Sequence, residues 1–333
     1  MKKLLFQFDT DPYPSVFDTV VAYDGGADRV TGYANITPDN VGALVDGTIF
    51  TRGGKDKQNT AIFVGGGNME KGEALFEAVK KRFFGPFRVS VMLDSNGSNT
   101  TAAAGVALLA KAKKLKGKKA VVLAGTGPVG MRAAAFLGQE GADVTITSRT
   151  KDKGDQAAKA IESRFGVKVK AVEGADDAAR AAAFLAQEGA DVTITSRTKD
   201  RAEAAAKALK NRFGVDVKGI AAADDKARAE AVKDANIVYA AGAIGAQLLP
   251  ASAWKDNPNI QLLADVNAQP PLGIEGIEAT DKGKDYNGKL AFGALGIGGL
   301  KLKLHRGCIK KLFESSEGVL DAEEIYALAK EMA

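Results

Sequence analysis

A glycine-rich hexapeptide directly after a short apolar run constrains the fold of this chain more than any other feature. The run Ala120–Ala124 is uninterrupted, which is typical of a strand buried on both faces of a parallel sheet. It is followed by Gly125-Thr126-Gly127-Pro128-Val129-Gly130 and then by a helical stretch to Gly138. The three glycines permit a tight turn, a close approach of the backbone to a pyrophosphate and close helix–strand packing. The pattern therefore predicts a Rossmann-type dinucleotide-binding domain with the phosphates at the helix N-terminus.

The end of the next predicted strand indicates which dinucleotide is bound. Asp143–Thr147 leads into Ser148-Arg149-Thr150-Lys151. NAD enzymes usually carry Asp or Glu here, which accepts hydrogen bonds from the adenosine ribose. A carboxylate would repel a 2′-phosphate, whereas Arg149 can pair with it bidentately. We therefore predict NADP, held by Ser148, Arg149 and Lys151. The alternative is a solvated charged turn at the start of a helix.

An internal repeat lies in the same region. Residues 133–180 and 181–228 align without gaps, with roughly 34 identical positions, and each copy reads helix, strand, helix, strand. We interpret this as a tandem duplication within one nucleotide-binding domain. The first copy is joined to the glycine loop, so Asp143–Thr147 should lie beside Ala120–Ala124. The second copy should enlarge the sheet with Val192–Thr195 and Val215–Ile220, or displace its edge strand.

A simple extension of the sheet looks strained, because two more strands lengthen the return crossing by roughly 10 Å. In the alternative arrangement, the second copy takes the later positions of the sheet, and Arg197 competes with Arg149 for the phosphate. We favour the first copy as the phosphate site. The sequence Gly174-Ala175-Asp176-Asp177 before the second copy's helix carries two carboxylates, which would repel a pyrophosphate.

The rest of the chain reads as a second α/β domain. The first hundred residues alternate short apolar runs with helical stretches, and Asn99 is a candidate cap for a helix over Thr100–Leu115. A C-terminal helical region should pack back onto this domain. We therefore expect one domain from residues 1–108 plus 297–333, and a Rossmann-type doubly wound domain from 109–296. The latter includes the buried-type strand Asn236–Gly242, whose last residues, Ala241 and Gly242, we assign to the cofactor site.

Composition narrows the classes of partner. The chain has 333 residues, 45% hydrophobic and 26% charged, as in soluble globular proteins. Its net charge of +5 is scattered, so we expect no nucleic-acid partner, although the mild positive excess suits anionic small ligands. No apolar run approaches the ~18 residues that a membrane span needs, so we expect no membrane partner. The single cysteine, Cys308, permits no intrachain disulfide, which favours the cytoplasm. We assign no metal, because Asp18, Asp24 and Asp28 lack ligand spacing and such carboxylates are usually solvated or capping.

Four longer blocks carry a family resemblance: Leu4–Asp11, Tyr23–Asp28, Asp94–Thr101 and Gly298–Arg306. Together with Pro14–Asp18, they resemble the NADP-dependent methylene-tetrahydromethanopterin dehydrogenases of methylotrophic bacteria, which also accept methylene-tetrahydrofolate. The resemblance covers the chain apart from the extra 48-residue copy. It implies a two-domain subunit related to folate dehydrogenases, a homotrimer, and an active cleft completed by a neighbouring subunit. It also implies an active site at four positions: Phe17, Thr101, Lys301 and His305.

These four residue types suit the implied chemistry. Oxidising an N,N-methylene bridge yields a cation by loss of a hydride and needs no proton transfer, so orientation matters most. Phe17 can stack on the pterin, and the Thr101 hydroxyl can fix a polar edge. Lys301 and His305 are four residues apart and share a helix face. Because a cationic lysine opposes a developing cation, Lys301 must anchor an anionic or carbonyl group at a distance, or be neutral.

Other interpretations stay open on the residues alone. Phe17 could be a core residue, Lys301 a solvated helix lysine and His305 a structural histidine. The chain could be a non-catalytic NADP-binding module, an enzyme inactivated by the duplication, or a bifunctional dehydrogenase–cyclohydrolase. The sequence does not rank the two pterins.

Overall fold

The computed structural model describes residues 1–148, 150–173, 192–196, 217–221, 232–242 and 244–333. The chain forms two compact units, one from Met1–Ala107 with Gly298–Ala333 and the other from Leu108–Ile297. Within the described ranges, no helix is both long and apolar enough to cross a membrane.

The helices and strands alternate along most of the chain. Short 3-10 turns occur at Gly54–Asn59 and Ser95–Gly97. The order is β1 (Leu4–Asp9), α1 (Val16–Asp24), β2 (Arg29–Tyr33), α2 (Gly42–Phe50), β3 (Thr60–Gly65), α3 (Met69–Arg82), β4 (Ser90–Leu93), α4 (Ser98–Ala112), β5 (Lys119–Leu123), α5 (Pro128–Gln139), β6 (Asp143–Ser148), α6 (Lys151–Phe165), β7 (Lys170–Glu173), β8 (Val192–Ser196), β9 (Val217–Ala221), β10 (Ile237–Ala240), α7 (Ala251–Trp254), β11 (Leu262–Asp265), β12 (Lys282–Tyr286), β13 (Lys289–Phe292), α8 (Ala294–Leu312), β14 (Val319–Leu320) and α9 (Ala322–Met332).

The first unit contains a parallel sheet with the strand order β14-β4-β3-β1-β2. Every residue of β3 is buried, as its continuous apolar sequence requires, and α3 packs Leu75 and Phe76 into the same core. Because all the strands run in one direction, their carboxyl ends meet at one edge. Asp9, Gly65 and Asp94 lie at or just beyond these ends and position the site described below.

The second unit contains a sheet with the order β12-β13-β11-β10-β5-β6-β7. All neighbours are parallel except β12, which pairs antiparallel with β13 at the edge. The chain winds outward from β5 through β6 to β7, and then from β10 through β11 to β13. This reversal next to β5 is the topological switch point of a doubly wound sheet. The predicted two-domain α/β architecture with a Rossmann-type sheet is confirmed.

The two copies of the repeat are placed differently. The first-copy strand β6 pairs with β5 from Lys119↔Asp143 to Val122↔Ile146, so this prediction is confirmed. The second-copy strands β8 and β9 pair with each other in a separate two-stranded sheet. The expectation that the second copy enlarges or displaces part of the main sheet was therefore wrong. The first copy supplies β6 and β7, the two strands on one side of β5. Adding β8 and β9 to that edge would need the longer return crossing noted above.

Candidate active site

A cavity of about 380 Å³ opens at the carboxyl edge of the sheet in the first unit. Its walls come from the segment after β1, from α1, from the turn after β4, and from α4 and α8. The residues that matter for its chemistry are Asp11, Phe17, Asp18, Asn96, Thr101 and Lys301. The cavity thus joins residues from the two ends of the chain.

Asp9, a buried residue at the end of β1, fixes the entry into α1. Its carboxyl oxygens accept the backbone N–H groups of Asp11 and Ser15, both at 3.0 Å. The Ser15 hydroxyl then accepts the N–H of Asp18 at 3.2 Å and caps the helix. This chain of bonds places Phe17 and Asp18, in the first turn of α1, at the cavity wall.

Asp94, which is also buried, performs the same task for α4. Its carboxyl accepts the N–H groups of Asn99 and Thr100 at 3.0 Å and the Thr100 hydroxyl at 2.6 Å. The predicted cap by Asn99 was wrong: α4 begins at Ser98, and the Asn99 side chain donates to the carbonyl oxygen of Leu93 at 2.7 Å. Thr101 follows in the first turn and reaches the cavity.

The structure brings together all four residues implied by the family resemblance. The ammonium of Lys301 lies 4.0 Å from the ring centroid of Phe17, which is 48% exposed. A Cβ placed on Gly97 would lie 3.5 Å from Lys301 Nζ and 3.8 Å from the Thr101 hydroxyl, so these two side chains are neighbours. His305 lies one helical turn beyond Lys301, and its ring centroid is 6.3 Å from that of Phe17.

His305 is fully buried and stacked on Phe63, with ring centroids 5.5 Å apart. Burial, and secondarily the charge of Lys301, lowers its pKa to about 3. Its Nδ1 lies 3.9 Å from Asp94 Oδ2, and within the described residues neither ring nitrogen has a hydrogen-bond partner. The imidazole is therefore neutral at physiological pH, and its ring packs on Phe63.

Asp18 is a site residue that our sequence interpretation missed. Asp24 and Asp28 behave as expected, because they bind Arg306 and the Lys3 backbone N–H at the surface. The Asp18 carboxyl instead lines the cavity. Burial, followed by the nearby Asp94 charge, raises its pKa to about 7, against the lowering effects of the Ser15 hydroxyl and Lys301. The only signal in the sequence was its position next to Phe17 in the block Pro14–Asp18.

In the second unit, the glycine loop has the geometry that a pyrophosphate requires. A Cβ on Gly130 would lie 2.9 Å from Gly125 Cα and 3.0 Å from the Ala124 oxygen, so α5 packs directly on the turn. Among the described residues, a Cβ on Gly127 would meet only the Ala124 oxygen, at 3.7 Å, which leaves room at the start of α5. Pro128 is at the first helical position, where its missing N–H costs nothing. The residues present fit a dinucleotide.

The other predicted cofactor residues lie around the same edge. Ser148 ends β6, and its buried hydroxyl accepts the Thr150 N–H at 3.4 Å. Ala241 follows β10 and donates its N–H to Leu123 at 3.2 Å, beside the glycine loop, while Gly242 packs on Leu248. Lys151 begins α6. Arg149 and Arg197 lie outside the described residues.

A glycine loop at the switch point of a doubly wound sheet, joined in one chain to a unit with a polar cavity, defines a two-domain Rossmann-type protein with the architecture of dinucleotide-dependent dehydrogenases. A family model described as methylene-tetrahydromethanopterin dehydrogenase, N-terminal, matches residues 16–96. The bifunctional protein MdtA of Methylorubrum extorquens is 63% identical over 334 aligned residues, which cover 100% of this chain and 99% of that protein. The chain belongs to the methylene-tetrahydromethanopterin dehydrogenase family.

Two more distant similarities accompany this one. An NAD(P)-dependent methylenetetrahydromethanopterin dehydrogenase of the same bacterium is 29% identical over 329 residues, 96% of this chain and 95% of that protein. Among solved structures, 5-ketofructose reductase of Gluconobacter sp. strain CHM43 has a TM-score of 0.45 at 14% identity, with coverage of 100% and 99%. This structural similarity is too low to support a functional argument.

Proposed function

We propose that the protein is an NADP-dependent dehydrogenase that oxidises the methylene bridge of methylene-tetrahydromethanopterin or methylene-tetrahydrofolate to the methenyl cation. The observation that carries the proposal is the meeting of Phe17, Thr101 and Lys301 around one cavity in a chain of this family. We assign the substrate to the first unit and the cofactor to the second.

The cofactor site is proposed at the edge of the sheet around β5. When bound, the nicotinamide supplies a hydride acceptor. The open start of α5 and the close packing at Gly125 and Gly130 support a pyrophosphate at the helix N-terminus, where free N–H groups and the helix dipole favour anions. Ser148, Arg149 and Lys151 would then hold the 2′-phosphate. Ala241 and Gly242, which directly follow the neighbouring strand β10, would border the cofactor.

The substrate site needs orientation more than proton transfer, because only a hydride leaves. The exposed ring of Phe17 offers a flat apolar surface to a pterin, and Lys301 and Thr101 offer hydrogen-bond donors next to it. His305 stays neutral, and its ring packs against the rings of Phe17 and Phe63. None of these residues is required to transfer a proton during the oxidation.

The direct test is absorbance at 340 nm with NADP and each methylene-pterin in turn. We expect an increase with at least one pterin. A protein that binds NADPH tightly but gives no increase with either would be a non-catalytic or inactivated member, which contradicts the proposal. The bifunctional alternative predicts, in addition, that the methenyl product disappears faster than in an enzyme-free blank.

The cofactor preference gives a separate prediction. Replacing Arg149 with Ala should weaken NADP binding about ten- to a hundredfold, because a charge-assisted phosphate contact contributes roughly 1.5–3 kcal/mol. Arg197→Ala is the matched control in the second copy and should leave NADP affinity unchanged. Isothermal titration calorimetry with NADP measures the affinity of both variants. A defect confined to Arg197→Ala, or equal turnover of the unmutated protein with NAD, would refute this assignment.

The assembly proposed from the family resemblance is a cytoplasmic homotrimer. Light scattering coupled to size exclusion should then give about three times the subunit mass of 34.6 kDa. A monomer of unchanged activity would contradict the proposal.

A further inference from the structure

The proposed reaction creates a positive charge in a cavity that already contains a lysine. As the C–H bond of the methylene bridge breaks, the hydride leaves with both electrons for the oxidised nicotinamide, and no proton is released. The substrate gains one positive charge, shared by its two nitrogens. Lys301 lines the cavity, and its positive charge opposes the charge that develops on the substrate through Coulomb repulsion. A compensating negative charge in the same cavity would lower the barrier.

Carboxyl groups surround this part of the cavity on several elements. Two of them lie beside Gly65 at the end of β3, since a Cβ there would lie 3.3 Å from Asp9 Oδ2 and 3.7 Å from Asp18 Oδ2. Asp94, in the turn after β4, is a third carboxyl close to Asp18. Asp11, in the segment after β1, is a fourth carboxyl and lines the cavity. Gly65 thus lies next to both the Asp9 and the Asp18 carboxyls.

Three of these carboxyls already hold the backbone in place. Asp9 accepts the N–H groups of Asp11 and Ser15, and Asp94 accepts those at the start of α4. Asp11 accepts the N–H of Gly67 at 2.8 Å. Asp18 differs: its carboxyl lines the cavity, and among the described residues it is hydrogen-bonded by the Ser15 hydroxyl and not by a backbone amide. It therefore has oxygen atoms available to a ligand.

We propose that ionised Asp18 stabilises the positive charge that develops on the pterin as the hydride leaves. This inference rests on the proposed function and adds a residue to it. It also removes the conflict at Lys301, because in one cavity the lysine can orient a polar group of the substrate while the carboxylate balances the new charge.

The electrostatic setting of Asp18 matches this role. Burial, Asp94 and Asp9 raise its pKa, while the Ser15 hydroxyl and Lys301 lower it, with a result of about 7. The neighbouring His305 is neutral and adds no charge. Because the ionised form dominates above this pKa, affinity for a cationic ligand should increase as the pH rises through about 7. A cation that binds nearby should also favour ionisation of Asp18.

The test compares a cationic with a neutral pterin in the absence of NADP. Methenyl-tetrahydrofolate carries the product's positive charge, and tetrahydrofolate does not. Stopped-flow absorbance titrations, completed before the methenyl compound hydrolyses, give both affinities. Asp18→Asn should weaken binding of the cation about ten- to a hundredfold and change binding of tetrahydrofolate by less than about twofold. The rise in cation affinity between pH 6 and 8 should disappear.

Two further variants make the result specific. Asp24→Asn removes the same charge from the same helix, at the surface ion pair with Arg306, and should change neither affinity. Asp18→Glu keeps the charge and should retain part of the preference for the cation. Thermal melting checks that each variant is folded.

Each outcome decides between roles. Equal weakening of both ligands by Asp18→Asn would mean that Asp18 merely contacts the pterin ring, and unchanged affinities would mean that it has no role in binding; either overturns the inference. If the unmutated protein binds neither pterin, the proposed function fails instead, whatever Asp18 does.

Discussion

Replacing Lys301 with Ala is expected to lower kcat with a methylene-pterin about a hundredfold or more and to change the Kd for NADPH less than about twofold. Lys301 Nζ lies over the Phe17 ring and beside Thr101, at the cavity of the first unit, whereas the glycine loop belongs to the second unit. Losing a charged donor that orients the substrate costs roughly 3 kcal/mol of transition-state stabilisation. Steady-state kinetics and NADPH fluorescence titration measure the two quantities.

Lys303→Ala is the matched control for this experiment. Lys303 is also on α8, but its ammonium donates to the Met332 carbonyl at 3.2 Å and is exposed. Its removal should leave kcat unchanged. If Lys301→Ala lost NADPH binding in parallel with activity, the lysine would be structural, and its assigned role would be wrong.

A pair of glycine variants should separate folding from cofactor binding in the second unit. Gly130→Ala places a Cβ 2.9 Å from one backbone atom and 3.0 Å from another, so the turn must open. Such overpacking costs about 1–3 kcal/mol, and we expect Tm to fall by roughly 5 °C together with a loss of NADPH affinity of at least about a hundredfold. The three nearest atoms are all backbone atoms, so no flexible side chain among them can move aside.

Gly127→Ala should affect binding alone. Within the described part of the chain, its Cβ would make one contact, of ordinary length at 3.7 Å, but it would occupy the start of α5, where the pyrophosphate is proposed. Calorimetric melting should therefore show an unchanged Tm, and NADPH titration a weakened Kd. Normal NADPH affinity in Gly127→Ala would place the pyrophosphate elsewhere.

The features that were predictable from sequence are mostly local. The glycine loop, the strand before it and the helix after it are contiguous, so one pattern specifies all three. The position of β6 beside β5 followed from the short connection through α5. For the four active-site positions, the residue pattern placed only Lys301 and His305 on one helix face, and their meeting with Phe17 and Thr101 was implied by the family resemblance.

The electrostatics of the site could not be predicted in the same way. The pKa of Asp18 depends on its burial and on the charges of Asp94 and Asp9, which lie at the ends of different strands that meet only in the folded sheet. The same holds for His305, whose pKa is lowered because burial removes it from water beside a lysine. A sequence pattern gives neither the burial of a carboxyl nor the charges around it, so Asp18 looked like an ordinary helix-capping residue.

The separate pairing of β8 with β9 implies that the region between β7 and β10 is a permissive insertion point. The seven-stranded sheet is complete without either strand. Deleting residues 181–228 would leave about 15 residues to connect β7 with β10, enough for an ordinary helical crossover. This segment is thus where a reporter or a regulatory module could be grafted, with the main sheet as an unaltered scaffold.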